Sequence, residues 1–216
     1  MKKKNIIISI IFVLISIIYT ICVKYIDVDT IGPNNSKVGL STINNYFHKL
    51  LPYKETLYKL TSYLGILLFV IVGIYALVGV IQLIKRKSLL KVDKEIIILG
   101  LFYILVATLY LFFEKVIINY RPVIIDNELE ASYPSTHTLL TMCICFSSII
   151  INKLKYNTFK YRKYTNILTI VLALVILVGR ILSGVHWISD ILGGLLISLA
   201  LISIFKTAIL TAKEKN

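Results

Sequence analysis

Residues 179–190 read Gly179-Arg180-Ile181-Leu182-Ser183-Gly184-Val185-His186-Trp187-Ile188-Ser189-Asp190, with long apolar runs on both sides. A charged stretch between two hydrocarbon-like runs belongs at a membrane boundary, where its charges meet water. His186 and Asp190 are four residues apart. On a helix running on from His186 they share a face one turn apart, and the carboxylate can approach an imidazole nitrogen. That pairing fixes one tautomer and leaves the other ring nitrogen with its lone pair, as a nucleophile or base requires. Arg180 adds a permanent planar fork suited to phosphate. The same three residues could equally form an interfacial ion pair that orients a helix end.

The surrounding chain decides the setting. Of 216 residues 57% are hydrophobic and 16% charged, with mean hydropathy +0.84, far from the composition of a soluble domain. Apolar runs at about 5–23, 60–84, 96–113, 135–151, 164–182 and 187–205 are each about the length a bilayer-spanning helix needs. They predict an all-α, polytopic membrane bundle of about six transmembrane helices, built as a single domain over residues 1–216 without repeats or low-complexity tracts. The first run exceeds a signal-peptide core and no small-residue cleavage site follows it, so it is expected to be retained. Between it and the second run, Gly32-Pro33-Asn34-Asn35 marks a turn. Ile43, Tyr46, Phe47, Leu50, Leu51, Leu57 and Leu60 recur at helical offsets, as in a helix lying on the membrane surface, with His48 a surface histidine within it. Cys22, Cys143 and Cys145 sit in or beside apolar runs without framework spacing and read as small apolar fillers.

A net charge of +13 raises the question of nucleic acid, and its distribution answers it. With the N-terminus in the cytoplasm, the cytoplasmic segments hold sixteen Lys and Arg against three acids, while the other side holds eight of each. The whole excess is therefore positive-inside bias, and no nucleic-acid partner is implied. The Lys85-Arg86-Lys87 cluster, the loop from Lys153 to Lys163, and the tail with Lys206, Lys213 and Lys215 all fall on the cytoplasmic side, as do both termini. The stretch 179–190 falls on the extracytoplasmic side. Ile, Lys and Asn richness suggests an AT-rich bacterial genome, and hence a bacterial cell membrane.

Two earlier stretches reach the same side: Lys115 to Arg121-Pro122, and Pro134-Ser135-Thr136-His137. Together the three stretches, spanning 115–190, resemble the signature of the type 2 phosphatidic acid phosphatase (PAP2) superfamily. Its pattern is Lys, six residues, Arg-Pro; then Pro-Ser-Gly-His; then Ser-Arg, five residues, His, three residues, Asp. Arg180, His186 and Asp190 match the third motif's spacing. The resemblance implies a membrane lipid phosphatase in which His186 is phosphorylated and then freed by water while His137 protonates the leaving group, without metal or other cofactor. Arg121, Arg180, Ser135, Thr136 and Lys115 would hold the phosphate. Independently of any family, phosphate-ester hydrolysis needs cations around the nonbridging oxygens, an in-line nucleophile and an acid. Ser135 and Thr136 also suit an ordinary helix N-cap.

Three positions depart from the signature. Thr136 stands in place of Gly, where a β-branched residue restricts the backbone. Gly179 stands in place of Ser. Lys115 lies one position closer to Arg121 than the motif lysine, whose place is taken by Glu114. On a helix that slip turns the side chain by about 100°. Either Lys115 reaches round a distorted helix end, or two arginines suffice and Glu114 pairs with one of them. The expected partner is a lipid phosphate or diphosphate in the bilayer: phosphatidate, phosphatidylglycerol phosphate or undecaprenyl diphosphate. A phosphotransferase of the same fold and a noncatalytic lipid-binding relative are the alternatives, and oligomeric state is not encoded in any motif.

Overall fold

The structure, a computed structural model, describes residues 2–214; Lys215 lies outside the described residues. These residues form α1 (Lys2–Tyr25), α2 (Ser41–Leu50), α3 (Glu55–Arg86), α4 (Lys94–Lys115), α5 (Thr136–Leu154), α6 (Arg162–Leu182) and α7 (Ile188–Glu214). All but α2 are long and apolar enough to cross a bilayer, so the chain is an all-helical, multi-pass membrane protein. The outward sides of these helices carry exposed Ile7, Ile18, Ile66, Phe69, Ile104 and Leu168, which only lipid can cover favourably.

Two helices make the centre. In α5 and α7 56% of the apolar window is buried, against at most 28% in the other spans. Their sequences show why: α5 buries Thr138, Thr141, Ser147 and Ser148 among its apolar residues, and α7 buries Gly193, Gly194 and Ser198. Between helices in lipid, small and hydroxyl-bearing residues allow close backbone approach and interhelical hydrogen bonds. At Gly194 an added Cβ would lie 3.0 Å from the Ser135 carbonyl oxygen, and at Gly193 it would run into the Tyr133 ring. α1 lies along α7, while α3 and α6 pack on α5. Cys143 and Cys145 are buried in α5 as apolar filler.

The surface helix is shorter than its apolar pattern suggests. It ends at Leu50, and Leu57 and Leu60 belong instead to α3, which begins at Glu55 just after Pro52. The pattern ran on because both segments expose apolar side chains. In α2, Ile43, Tyr46 and Leu50 face outward, while Asn44 is buried and bonds the Ser189 hydroxyl and the Gly39 carbonyl (2.9 and 2.8 Å). At the other end of the chain α7 continues to Glu214, well past the expected end near Phe205.

At the basic end of the bundle Asp93, just before α4, ties three helices. It accepts from Gln82 (2.6 Å) and pairs with Arg86 and Lys155, each at 2.7 Å. Burial pushes its carboxyl up, but hydrogen bonds from Lys155 and Arg86, the charge of Lys155 and the Gln82 amide outweigh that and hold it at about 2. A carboxyl depressed in the folded state contributes stability that is present above its ordinary value and lost as pH falls towards the folded one. Asp93→Asn is therefore expected to lower the Tm of the detergent-solubilised protein by about 2–5 °C at pH 7. The gap to wild type should close between about pH 4 and pH 2. Equal Tm values at pH 7 would show that the cluster contributes nothing.

Candidate active site

The turn between α6 and α7 organises the opposite end. Gly184 reverses the chain at φ +61°, in the left-handed region, and a Cβ there would strike the Leu51 and Pro52 backbone. The Lys54 N–H donates to the Ser183 carbonyl (2.8 Å), so the entry to α3 is docked on this turn. Trp187 donates its indole N–H to the Tyr120 carbonyl (2.7 Å), which fixes the α4–α5 loop. The Ser135 N–H donates to the Asp190 carbonyl (2.9 Å), which fixes the start of α5. The three sequence stretches thus meet at one end of the bundle.

His186 is not part of the helix that follows it. The Asp190 carboxylate accepts from the Trp187 N–H (3.2 Å), as the third residue of a helix does for its cap, and α7 begins only at Ile188. His186 therefore precedes the helix, and the expected one-turn contact is not made. Among the described residues no direct hydrogen bond joins His186 to Asp190; the Ser132 hydroxyl lies 3.0 Å from His186 Nδ1 instead. The same hydroxyl also bears on the Asp190 carboxylate. Asp190 further accepts from Asn119 Nδ2 (3.0 Å), and Asn119 is held by the Gly39 N–H (3.1 Å). Nε2 of His186 is buried and has no hydrogen-bond partner among the described residues. Burial, with Arg121, Arg180 and His137 nearby, holds this imidazole well below its ordinary value and so neutral.

Two guanidiniums adjoin it. Arg180 is fully buried; its Nη2 donates to Ser62 Oγ (2.8 Å), while Nε and Nη1 are unpartnered. Arg121, 8% exposed, has Nη1 2.7 Å from Glu130 and an unpartnered Nε. The acid beside Arg121 is thus Glu130, brought round by the loop, and not Glu114. The Tyr58 ring lies 5.1 Å from the Arg180 guanidinium and 6.0 Å from that of Arg121, offering its π face where two like charges converge. His137 packs its ring against Gly65 of α3, and its buried Nδ1 is also unpartnered.

The departures from the signature acquire physical readings. Thr136 is the first residue of α5 and needs no left-handed backbone, so its β-branch costs little here. Ser135 is the N-cap residue, but its side chain makes no cap bond; its hydroxyl accepts from Thr138 (3.0 Å). Gly179 faces the Thr61 methyl, and a Cβ would run into it. Gly179→Ser is accordingly expected to cost about 1–3 kcal/mol from overpacking. Thr61→Ser keeps the hydroxyl that bonds the Leu57 carbonyl and removes the methyl, so the double variant should recover most of that loss. Thermal unfolding of the four proteins measures the coupling, and additive losses would contradict this contact. Lys115, the last residue of α4, is exposed and makes no hydrogen bond or ion pair among the described residues. It is not among the charges bearing on His186.

Asn119, Ser132, Tyr58, Ser62 and Glu130 were not singled out by the sequence. Asn119 and Ser132 stand just before Arg121-Pro122 and Pro134-Ser135, and Ser62 is a polar residue opening an apolar run; those were their only signals. Buried guanidinium donors without partners are costly unless an anion satisfies them.

These features define a multi-pass helical membrane protein in which two arginines and two histidines cluster at one end of the bundle. The sequence profile of the PAP2 superfamily matches residues 68–214, and the chain belongs to that superfamily. It is 32% identical over 92 residues to lipid phosphate phosphatase delta of Arabidopsis thaliana, a match covering 42% of this chain and 21% of that protein's length. Its fold resembles that of a transmembrane PAP2 type phosphatidylglycerolphosphate phosphatase from Bacillus subtilis. TM-score is 0.56, identity 20%, and 92% of this chain and 94% of that one are covered.

Proposed function

We propose that the chain is a membrane phosphatase that removes a phosphoryl group from a lipid phosphate or diphosphate whose tail stays in the bilayer. The observation that carries this reading is the convergence of unpartnered buried nitrogens: His186 Nε2, His137 Nδ1, Arg121 Nε, and Nε and Nη1 of Arg180. The arginines hold the nonbridging oxygens and offset the charge that builds on them. The Nε2 lone pair of His186 forms a bond to phosphorus as the bond to the lipid oxygen breaks. That oxygen takes a proton from His137 and leaves as the lipid alcohol or, from a diphosphate, as the lipid monophosphate. Water then attacks phosphorus, the P–N bond breaks, its electron pair returns to Nε2, and the water's proton passes to His137. Ser135 and the first turn of α5 support the bound phosphate with a hydroxyl and backbone N–H groups.

The membrane spans and the phosphatase relatives favour a lipid substrate, with phosphatidate, phosphatidylglycerol phosphate and undecaprenyl diphosphate as candidates. The charge distribution supports a site on the extracytoplasmic face with both termini in the cytoplasm. Phosphate release from the three lipids by the purified protein in detergent, with EDTA present, tests the reading. Release that persists in EDTA supports histidine chemistry without metal. Release only when an added acceptor is present would make it a phosphotransferase, and no release from a folded protein would leave a noncatalytic relative.

A further inference from the structure

Resting on that reading of the site, we infer that Ser132 is a positioning residue that sets the tautomer of His186 and transmits the charge of Asp190 to it. Ser132 is buried, its hydroxyl lies 3.0 Å from His186 Nδ1, and it also bears on the Asp190 carboxylate. The direction of the bonds follows from who can donate. Asp190 accepts from the Asn119 amide and the Trp187 N–H, the surroundings of an ionised carboxylate, which has no proton to give. In the inferred arrangement the Ser132 O–H points to Asp190 and its oxygen accepts from His186 Nδ1–H. With the proton on Nδ1, Nε2 keeps its lone pair. The reverse arrangement would put a proton on Nε2, towards Arg121, Arg180 and His137, and remove the nucleophile.

Ser132 transfers no proton in this account. As Nε2 bonds to phosphorus the imidazole ring becomes cationic, Nδ1–H strengthens as a donor, and the oriented hydroxyl with Asp190 behind it stabilises that charge. Asn119, clamped by the Gly39 N–H, holds Asp190 from its other side. The titratable and charged groups around the ring are thus Arg121 from the α4–α5 loop, His137 from α5, Arg180 from α6, Asp190 from α7, and His48 from α2, which lines the same small cavity. Ser132 alone among these groups can accept from Nδ1–H, through its hydroxyl at 3.0 Å and its main-chain carbonyl, and only the hydroxyl links the ring to Asp190.

The chain has three histidines, so 15N-histidine NMR of the detergent-solubilised protein can read each ring, with His186→Asn assigning the relevant signals. The expected wild-type spectrum has His186 protonated on Nδ1 and unprotonated on Nε2 at pH 7.5. Ser132→Ala should shift the ring towards the Nε2–H form and lower kcat by about 10²-fold with KM within about threefold, since a wrong tautomer disables the nucleophile. Ser132→Thr, which keeps the hydroxyl, should restore the Nδ1–H signal and most of kcat. A wild-type His186 carrying its proton on Nε2 would overturn the proposal, even if the variants do not fold. An unchanged tautomer or kcat in Ser132→Ala would overturn it too. Absence of wild-type phosphate release would count against the phosphatase reading instead, because the NMR signature does not depend on turnover.

Discussion

His186→Ala is expected to reduce phosphate release from the preferred lipid by at least about 10⁴-fold, because it removes the atom that would carry the phosphoryl group. The fold should tolerate the change. His186 is neutral and makes no ion pair, and the small cavity it lines is otherwise formed mostly by Phe47, His48, Leu51, Ile181, Ile188 and Ile191. Since its folded value lies well below the ordinary imidazole range, lowering the pH from 7.5 to 6 does not protonate the nucleophile, and any acid limb there belongs to another group. In the unfolded chain His186 takes up a proton near its ordinary value. Wild-type stability is therefore lost as pH falls below about 6.5, and His186→Ala should flatten that part of the stability profile. Rates and thermal unfolding over the same pH range check both statements. A variant retaining more than about a hundredth of wild-type activity would contradict the nucleophile assignment.

Arg180→Lys is expected to lower kcat/KM by about 10²–10³-fold although it conserves charge. The guanidinium is buried, fixed by one nitrogen to Ser62 and lies near the Tyr58 ring, leaving Nε and Nη1 as two donors with preset directions. An ammonium offers a point charge, cannot fill both roles, and sits less well against the ring. Ser62→Ala removes one anchor while keeping both free donors, so its effect should be about tenfold, near the lower end of the value of one hydrogen bond to a charged group. Initial rates over a range of substrate fractions in mixed micelles separate the two variants. Arg180→Lys within threefold of wild type would mean that Arg180 contributes only charge, or lies outside the reaction.

Most of the architecture was written in the apolar runs, because a bilayer imposes one length and one backbone solution on each span. All six expected spans form, and their ends shift by amounts set by local chemistry: Pro52 separates α2 from α3, and the Trp187–Asp190 cap delays α7. That delay is why the four-residue spacing of His186 and Asp190 pointed to a contact the fold does not make. Spacing predicts a shared helix face only for residues inside the helix. Arg121, Arg180, His137 and His186 lie near one another, since each of their stretches lies at a helix end on the same side of the bundle. Ser132, Asn119 and Tyr58 escaped because their meaning is tertiary: each is an ordinary loop or helix residue until the α4–α5 loop and α3 are folded against Arg180 and Asp190. Glu130 pairs with Arg121 because Tyr120 and Ala131 bridge across that loop, and a register of this kind leaves no local mark.

The most direct measurement is to mix the protein with a lipid phosphate carrying radiolabelled phosphorus, quench within milliseconds in alkali, and locate the label by peptide mass spectrometry. Transient label on His186, stable to base and lost in acid, is the predicted result. Turnover by the wild-type protein with no label on His186, or with label on another residue, would contradict the account.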